Sequence, residues 1–183
     1  MKMKAVAAII LMAGSSTRYG KNKNKNLEII NHKPVFLYSV EVFEQSKEVQ
    51  EILLAVKKEE IEEVKAILNK RRNKVPIQIV EGGDTRQESV YHALLQTQAN
   101  IVFVHDGARP AIKERYIKDL LKEMKDFKGA NVAVKSKDTV KITDDKQIVL
   151  NTTYRANTWL SQTPQCFHRD ILLEIHEKEK RKS

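Results

Sequence analysis

Short runs of apolar, β-prone residues alternate along this chain with stretches of helical periodicity. That alternation limits the fold more than any other feature. Residues 5–11, 52–56, 77–80, 101–104 and 131–134 read as strands. Between them residues 34–43, 59–68 and 87–95 carry helical patterns, as do Tyr116, Leu120, Leu121 and Met124, and a last helix starts near Arg169. Pro34 suits a first helical turn. In the second pattern Ile61, Val64 and Leu68 share a face, with acids early and bases late. Strand–helix alternation of this kind predicts an α/β sheet of mainly parallel strands. The pattern changes after residue 135, where residues 139–142 and 148–150 flank Asp144-Asp145-Lys146. That reads as a polar β-hairpin, an arm leaving the main body.

At 183 residues the chain suits one domain with a sizeable core. No apolar run reaches the roughly 20 residues of a membrane helix. The basic start before residues 5–12 resembles a signal peptide only in part, because Arg18 and a Lys/Asn run follow at once. It reads instead as a buried first strand of a cytoplasmic protein. Cys166 is the single cysteine, so no internal disulfide forms, and the five histidines have no zinc-site spacing. A net charge of +9 favours anionic partners, either nucleic acid or phosphorylated small molecules.

Four polar clusters fall just past strand ends, where open parallel sheets bind ligands. In Ala13-Gly14-Ser15-Ser16-Thr17-Arg18 small residues let backbone N–H groups approach phosphate oxygens. Arg18 and Lys25 can neutralise charge growing on a phosphorus centre. The loop is neither the dinucleotide nor the Walker pattern; alone, it reads equally well as a solvated turn. In Gly82-Gly83-Asp84-Thr85-Arg86-Gln87-Glu88-Ser89 the glycines suit a backbone lying against a flat base, and the plain alternative is a turn with Asp84 capping a helix. In His105-Asp106-Gly107-Ala108-Arg109-Pro110, Asp106 stands where one carboxylate can hold Mg²⁺, or where an Asp-Gly turn pairs with Arg109. Lys57-Lys58 is the remaining cluster. Further on, Lys137-Asp138-Thr139, Arg155 and Gln162-Thr163-Pro164-Gln165 flank the hairpin and read by themselves as a polar hairpin and a proline turn.

Together, in this order and spacing, these segments resemble the motif set of the 2-C-methyl-D-erythritol 4-phosphate cytidylyltransferase family. The resemblance runs from about Ala5 to Phe167, and its most discriminating parts are His105 to Pro110 and Gln162-Thr163-Pro164-Gln165-Cys166-Phe167. It implies that Ala13, Gly14 and Ser15 wrap the CTP phosphates while Arg18 and Lys25 stabilise the transition state. Gly82, Gly83, Asp84 and Ser89 would read the cytosine and position the nucleotide, and Asp106 would bind Mg²⁺. Arg109, Thr139 and Arg155 would hold the sugar phosphate, the last two reaching in from the arm of a partner subunit. The chain departs from the family in Leu11-Met12-Ala13-Gly14-Ser15-Ser16, where Pro-Ala-Ala-Gly-x-Gly is usual, and in Asn24-Lys25-Asn26, where Pro-Lys-Gln is usual. Family members run on through a Thr-Asp-Asp segment and an Asn-Ile-Lys strand, whereas these 183 residues stop at Ser183. The form is therefore expected to bind CTP and turn over poorly.

The expectation is one three-layer α/β/α Rossmann-like nucleotidyltransferase domain over residues 1–183, with residues 135–155 forming a β-hairpin dimerisation arm. It transfers CMP from CTP to methylerythritol phosphate. The alternatives are a ribitol-5-phosphate cytidylyltransferase, a catalytically impaired homologue, or a non-catalytic nucleic-acid-binding protein. The last is disfavoured by an aromatic share of only 6% and by the lack of a basic stripe with interleaved aromatics.

Overall fold

Val6–Leu11 forms β1, and all of its residues are buried. A strand apolar on both faces needs cover on both sides. The computed structural model, which describes residues 5–14 and 24–181, supplies that cover. After a 3-10 turn at Lys25–Leu27 come β2 (Ile29–Ile30), β3 (Lys33–Pro34), α1 (Val35–Gln45), β4 (Glu51–Val56), α2 (Ile61–Asn69), β5 (Ile77–Glu81) and α3 (Arg86–Gln96). They are followed by β6 (Ile101–Asp106), α4 (Glu114–Glu123), β7 (Gly129–Lys135), β8 (Lys141–Thr143), β9 (Val149–Thr152), β10 (Trp159–His168) and α5 (Arg169–Lys180).

Six strands make the main sheet in the order β5-β4-β1-β6-β10-β7. β5, β4, β1 and β6 pair in parallel, and β10 runs antiparallel to both of its neighbours. Successive side chains point to opposite faces, which divides each strand between two cores. Ala8, Ile10, Ile52, Leu54 and Phe103 pack with Phe36, Val40 and Phe43 of α1, Val64 of α2 and Ile117 of α4. Ala7, Ile9, Leu53, Ala55, Val102 and Val104 pack with Val90, Ala93 and Leu94 of α3, and Leu172 and Leu173 of α5 lie against them. Three layers result, as expected.

Three local readings change. Pro34 is not inside the first turn of α1 but just before it, in extended geometry. No base falls in the last turn of α2, where Asn69 and then Lys70 end the helix. The stretch read as a proline turn is the ten-residue strand β10. Proline removes a ladder donor and is tolerated in sheets at bulges. The register of β10 against β7 shifts between Ser161 and Gln165, which is where Pro164 sits.

The hairpin is present. β8 and β9 pair in a two-stranded sheet of their own, and the Asp144 carboxylate accepts from the backbone N–H groups of Lys146 and Ile148 at 3.0 and 2.8 Å. It is less polar in effect than its sequence implied. Ile142, Ile148, Val149 and Leu150 on the hairpin, and Tyr154, Trp159 and Leu160 where the chain returns to the main sheet through β10, are all substantially exposed, Leu150 to 65%.

Candidate active site

Three hydrogen bonds continue the sheet ladder past its strands and set three loops side by side. Met12 N–H donates to Ala55 (2.8 Å), Gly82 N–H to Val56 (2.8 Å) and Gly107 N–H to Leu11 (2.9 Å). Close approach explains two of the glycines. A Cβ on Gly82 would collide with that of Ala13, and one on Gly107 would lie 2.5 Å from Asn26 Oδ1. A buried amide pair fixes the turn carrying Lys25. Asn24 Nδ2 donates to the Met12 carbonyl at 2.8 Å, and Asn26 Nδ2 donates to Asn24 Oδ1 at 2.7 Å.

The loops enclose a cleft of about 290 Å³ lined by Ala13, Gly14, Lys25, Gly83, Asp84, Ser89 and Asp106, together with Arg86. Gly82 lies beneath it, against Ala13 and Ser89. Larger hollows exist. One of about 480 Å³ is lined by Glu28, Glu59, Glu60 and Glu63, which would repel phosphate, and one of about 390 Å³ lies between α3 and α5 beside Tyr91 and His176. Chemistry rather than volume singles out the smaller cleft, where a small-residue loop meets cationic side chains and the carboxylates of Asp84 and Asp106.

Asp106 ends β6 with its side chain 31% exposed. Its Oδ1 accepts from Arg86 Nε at 3.2 Å and its Oδ2 from Arg109 Nε at 3.0 Å. The β10 bulge braces both guanidinium groups. Gln165 Oε1 accepts from Arg86 Nη2 at 3.3 Å, and Gln162 Oε1 accepts from Arg109 Nη1 at 2.5 Å. His105, one residue earlier, is fully buried. Burial pushes its pKa down to about 4, so the ring is neutral near pH 7. Buried Cys166 on β10 is pushed up to about 12 for the same reason, and its thiol is inert.

The cap of α3 is Thr85 rather than Asp84. Thr85 Oγ1 accepts from Glu88 N–H at 3.1 Å, and Glu88 Oε2 accepts from Thr85 N–H at 3.0 Å, a capping box. Ser89 is buried, and its hydroxyl accepts from Gly83 N–H at 3.1 Å and donates to the Thr85 carbonyl at 3.0 Å. It holds the glycine loop in shape.

The cleft thus gathers most of the expected nucleotide residues. Ser15 and Arg18 lie outside the described residues. Arg109 stands at the rim through Asp106. Thr139 and Arg155 are exposed on the arm, not in the cleft of their own chain. The sequence reading did not assign Arg86, Gln162, Thr163 or Gln165 to the site. Its available signals were the cluster positions themselves and, for Thr85, the T-x-x-E spacing of a capping box.

The family model for 2-C-methyl-D-erythritol 4-phosphate cytidylyltransferase matches residues 6–183. The chain belongs to that family. A protein of that name from Caldanaerobacter subterraneus is 37% identical over 176 residues, covering 94% of this chain and 78% of its own length. One from Clostridium perfringens is 36% identical over 179 residues, covering 97% and 80%. The crystal structure of 4-diphosphocytidyl-2C-methyl-D-erythritol synthase from Anaerococcus prevotii superposes with a TM-score of 0.85 at 31% identity, covering 98% of this chain and 78% of that one. The cytidylyltransferase match spans every segment that lines the cleft, the arm and β10. No helix among the described residues is long and apolar enough to cross a membrane.

Proposed function

We propose that this chain transfers CMP from CTP to 2-C-methyl-D-erythritol 4-phosphate, releasing pyrophosphate and forming 4-diphosphocytidyl-2-C-methyl-D-erythritol, a step of isoprenoid biosynthesis. The observation that carries this reading is the meeting of Ala13-Gly14, Lys25 and Asp106 in one cleft, in a chain of the cytidylyltransferase family. An oxygen of the methylerythritol phosphate attacks the α-phosphorus of CTP. The bond from that phosphorus to the bridging oxygen breaks, and the electron pair leaves with pyrophosphate. No covalent enzyme intermediate is needed, so catalysis is positioning and charge stabilisation.

In this reading backbone N–H groups of Ala13, Gly14 and Ser15 cradle the triphosphate. Arg18 and Lys25 stabilise the charge that grows at the α-phosphate. Gly82, Gly83, Asp84 and Ser89 shape the base site. Mg²⁺ takes few carboxylates and completes its shell with substrate phosphates and water. Asp106 beside a phosphate-sized loop, with Asp84 also lining the cleft, fits that donor set, while among the described residues no three His, Cys, Asp or Glu side chains are placed to hold a metal ion by themselves. Asp106 would hold the ion, which when bound would neutralise phosphate charge. Arg86 and Arg109, which dress Asp106 here, would then have phosphate oxygens to pair with.

Arg109 would hold the sugar phosphate together with Thr139 and Arg155 from a second copy. The exposed apolar side chains of the arm support a homodimer of single-domain chains, since monomers rarely leave such patches uncovered. The protein would be cytoplasmic, with no nucleic-acid partner.

A pyrophosphate-release assay with CTP and Mg²⁺ tests the assignment. Methylerythritol phosphate should support turnover, while ribitol 5-phosphate and ATP should not. Turnover with ribitol 5-phosphate alone would move the chain to the polyol-phosphate enzymes. Equal affinity for CTP and ATP would remove the base-reading role of the Gly82 loop.

A further inference from the structure

One buried side chain beside the cleft has hydrogen bonds to three different elements. His105 Nε2 lies 3.0 Å from Ser39 Oγ on α1 and 3.2 Å from the Arg109 carbonyl, and its Nδ1 lies 3.0 Å from Thr163 Oγ1 in the β10 bulge. Thr163 Oγ1 is in turn 3.3 Å from the Asp106 N–H. Phe43 packs edge-on to the imidazole, with centroids 5.8 Å apart.

The partners select one tautomer of the ring, and Ser39, whose hydroxyl donates to the Arg109 carbonyl at 3.4 Å, is free to accept from Nε2. A carbonyl only accepts, so the Arg109 oxygen requires the proton on Nε2. A backbone N–H only donates, so Thr163 Oγ1 accepts from Asp106 and sends its own hydrogen to the bare Nδ1. The result is one directed chain: Asp106 N–H to Thr163 hydroxyl, Thr163 hydroxyl to imidazole, imidazole N–H to Arg109 carbonyl. Bonds aligned head to tail strengthen one another. The chain begins and ends on the backbones of the two residues whose side chains meet at the mouth of the cleft. The same bulge braces the side chains of Arg109 and Arg86, which hold the Asp106 carboxylate, through Gln162 and Gln165.

We propose that His105 is a positioning residue for nucleotidyl transfer: through Thr163 on one side and the Arg109 carbonyl on the other, it sets where the Asp106 carboxylate and the Arg109 guanidinium stand. His105 touches no substrate in this role. The inference rests on the cytidylyltransferase reading for its reaction, but not for its geometry.

The test uses the full chain and four variants: Thr163→Val, Thr163→Ser, His105→Gln and the double variant His105→Gln/Thr163→Val. Thr163→Val keeps the shape and removes the relay. It should lower turnover roughly tenfold, the scale of one lost hydrogen bond. Affinity for Mg²⁺–CTP should weaken about threefold, with CTP affinity in chelator unchanged. Thr163→Ser restores the hydroxyl and should recover turnover to within about twofold. Because both residues act in one chain, the double variant should lose little more than the worse single variant. The proposal is overturned if Thr163→Val matches the parent, if Thr163→Ser is as impaired as Thr163→Val, or if the two losses multiply. Equal weakening with and without Mg²⁺ would also overturn it, pointing to a loss of fold alone. Should His105→Gln not fold, the Val and Ser pair decides. Should the parent release no pyrophosphate with any polyol phosphate, the assigned reaction fails, and the Mg²⁺–CTP affinities of that pair still decide the positioning role.

Discussion

At the carboxyl edge of the sheet, polar side chains are buried and, Asn26 Oδ1 apart, partnered. His105, Ser39 and Asn24 sit among apolar strands, with hydrogen bonds that run into the loops around the cleft. Along the arm, apolar side chains are exposed. Leu150 on the two-stranded hairpin is 65% accessible, Tyr154 just past it 75%, and Trp159, where the chain rejoins the main sheet at β10, 57%. Buried polar groups without partners are costly, so the first region can be stable only if its geometry is nearly unique. The second gains stability chiefly from what covers it, since an isolated hairpin is marginal. One region is preorganised by its own chain, and the other leaves apolar side chains that its own chain does not cover.

The sharpest test of preorganisation is charge removal. Lys25→Ala and Arg18→Ala should each lower turnover by roughly two to three orders of magnitude, as when one fixed charge stabiliser is lost, with far less change in CTP affinity. Unchanged turnover in either variant would break the catalytic assignment. Next comes acid titration of the buried edge. His105 has its folded pKa depressed to about 4 from an ordinary 6.5, so the unfolded chain takes up the proton first. Its contribution is complete above pH 6.5 and is lost as the pH falls from there toward 4. The loss amounts to about 3 kcal/mol. Denaturant melts across that window should show it, and His105→Gln should flatten it.

A smaller effect is expected where backbones approach. Gly82→Ala drives a Cβ into Ala13, and overpacking of this kind costs about 1–3 kcal/mol. Weakened CTP binding alongside a lowered melting temperature would place the collision at the cleft. For the arm, Leu150→Ser with Trp159→Ser should shift light scattering from dimer to monomer at micromolar concentration. The concentration dependence of melting should vanish with it, while the fold of the core stays intact. A parent that is monomeric would reverse the comparison, making the arm's exposure a feature of the free chain. The mildest expectation is that Cys166 resists alkylation at pH 8 in the folded chain, because burial raises its thiol to about 12.

The two regions also differ in how far they can be read from sequence. The four parallel strands and all five major helices were legible because each buried strand is a near-continuous apolar run and each helix repeats its apolar face. β10 was not. Its stretch Ser161-Gln162-Thr163-Pro164-Gln165 is polar and holds a proline, and only the register shift against β7 makes it a strand. The small-residue loop and Asp106 could be placed at strand ends from pattern alone. The inward turn of His105 was available only through parity, since it shares the α1 side of β6 with Phe103 two residues earlier. Its link to Thr163 spans 58 positions and leaves no trace in local pattern. A longer separation, 79 positions, hides the pairing of Arg86 with Gln165.

The feet of the arm carry a further consequence. Lys135 at the end of β7 pairs directly with Trp159 at the start of β10, so residues 136–158 leave and rejoin the sheet at neighbouring points, on the order of 5 Å apart. Closing so short a gap needs only a tight turn, and lengthening it costs little, because loop-closure entropy grows slowly with length. The excursion is therefore a cassette: its length can change, with Thr139 and Arg155 kept for the site, while the register of the six-stranded sheet stays fixed.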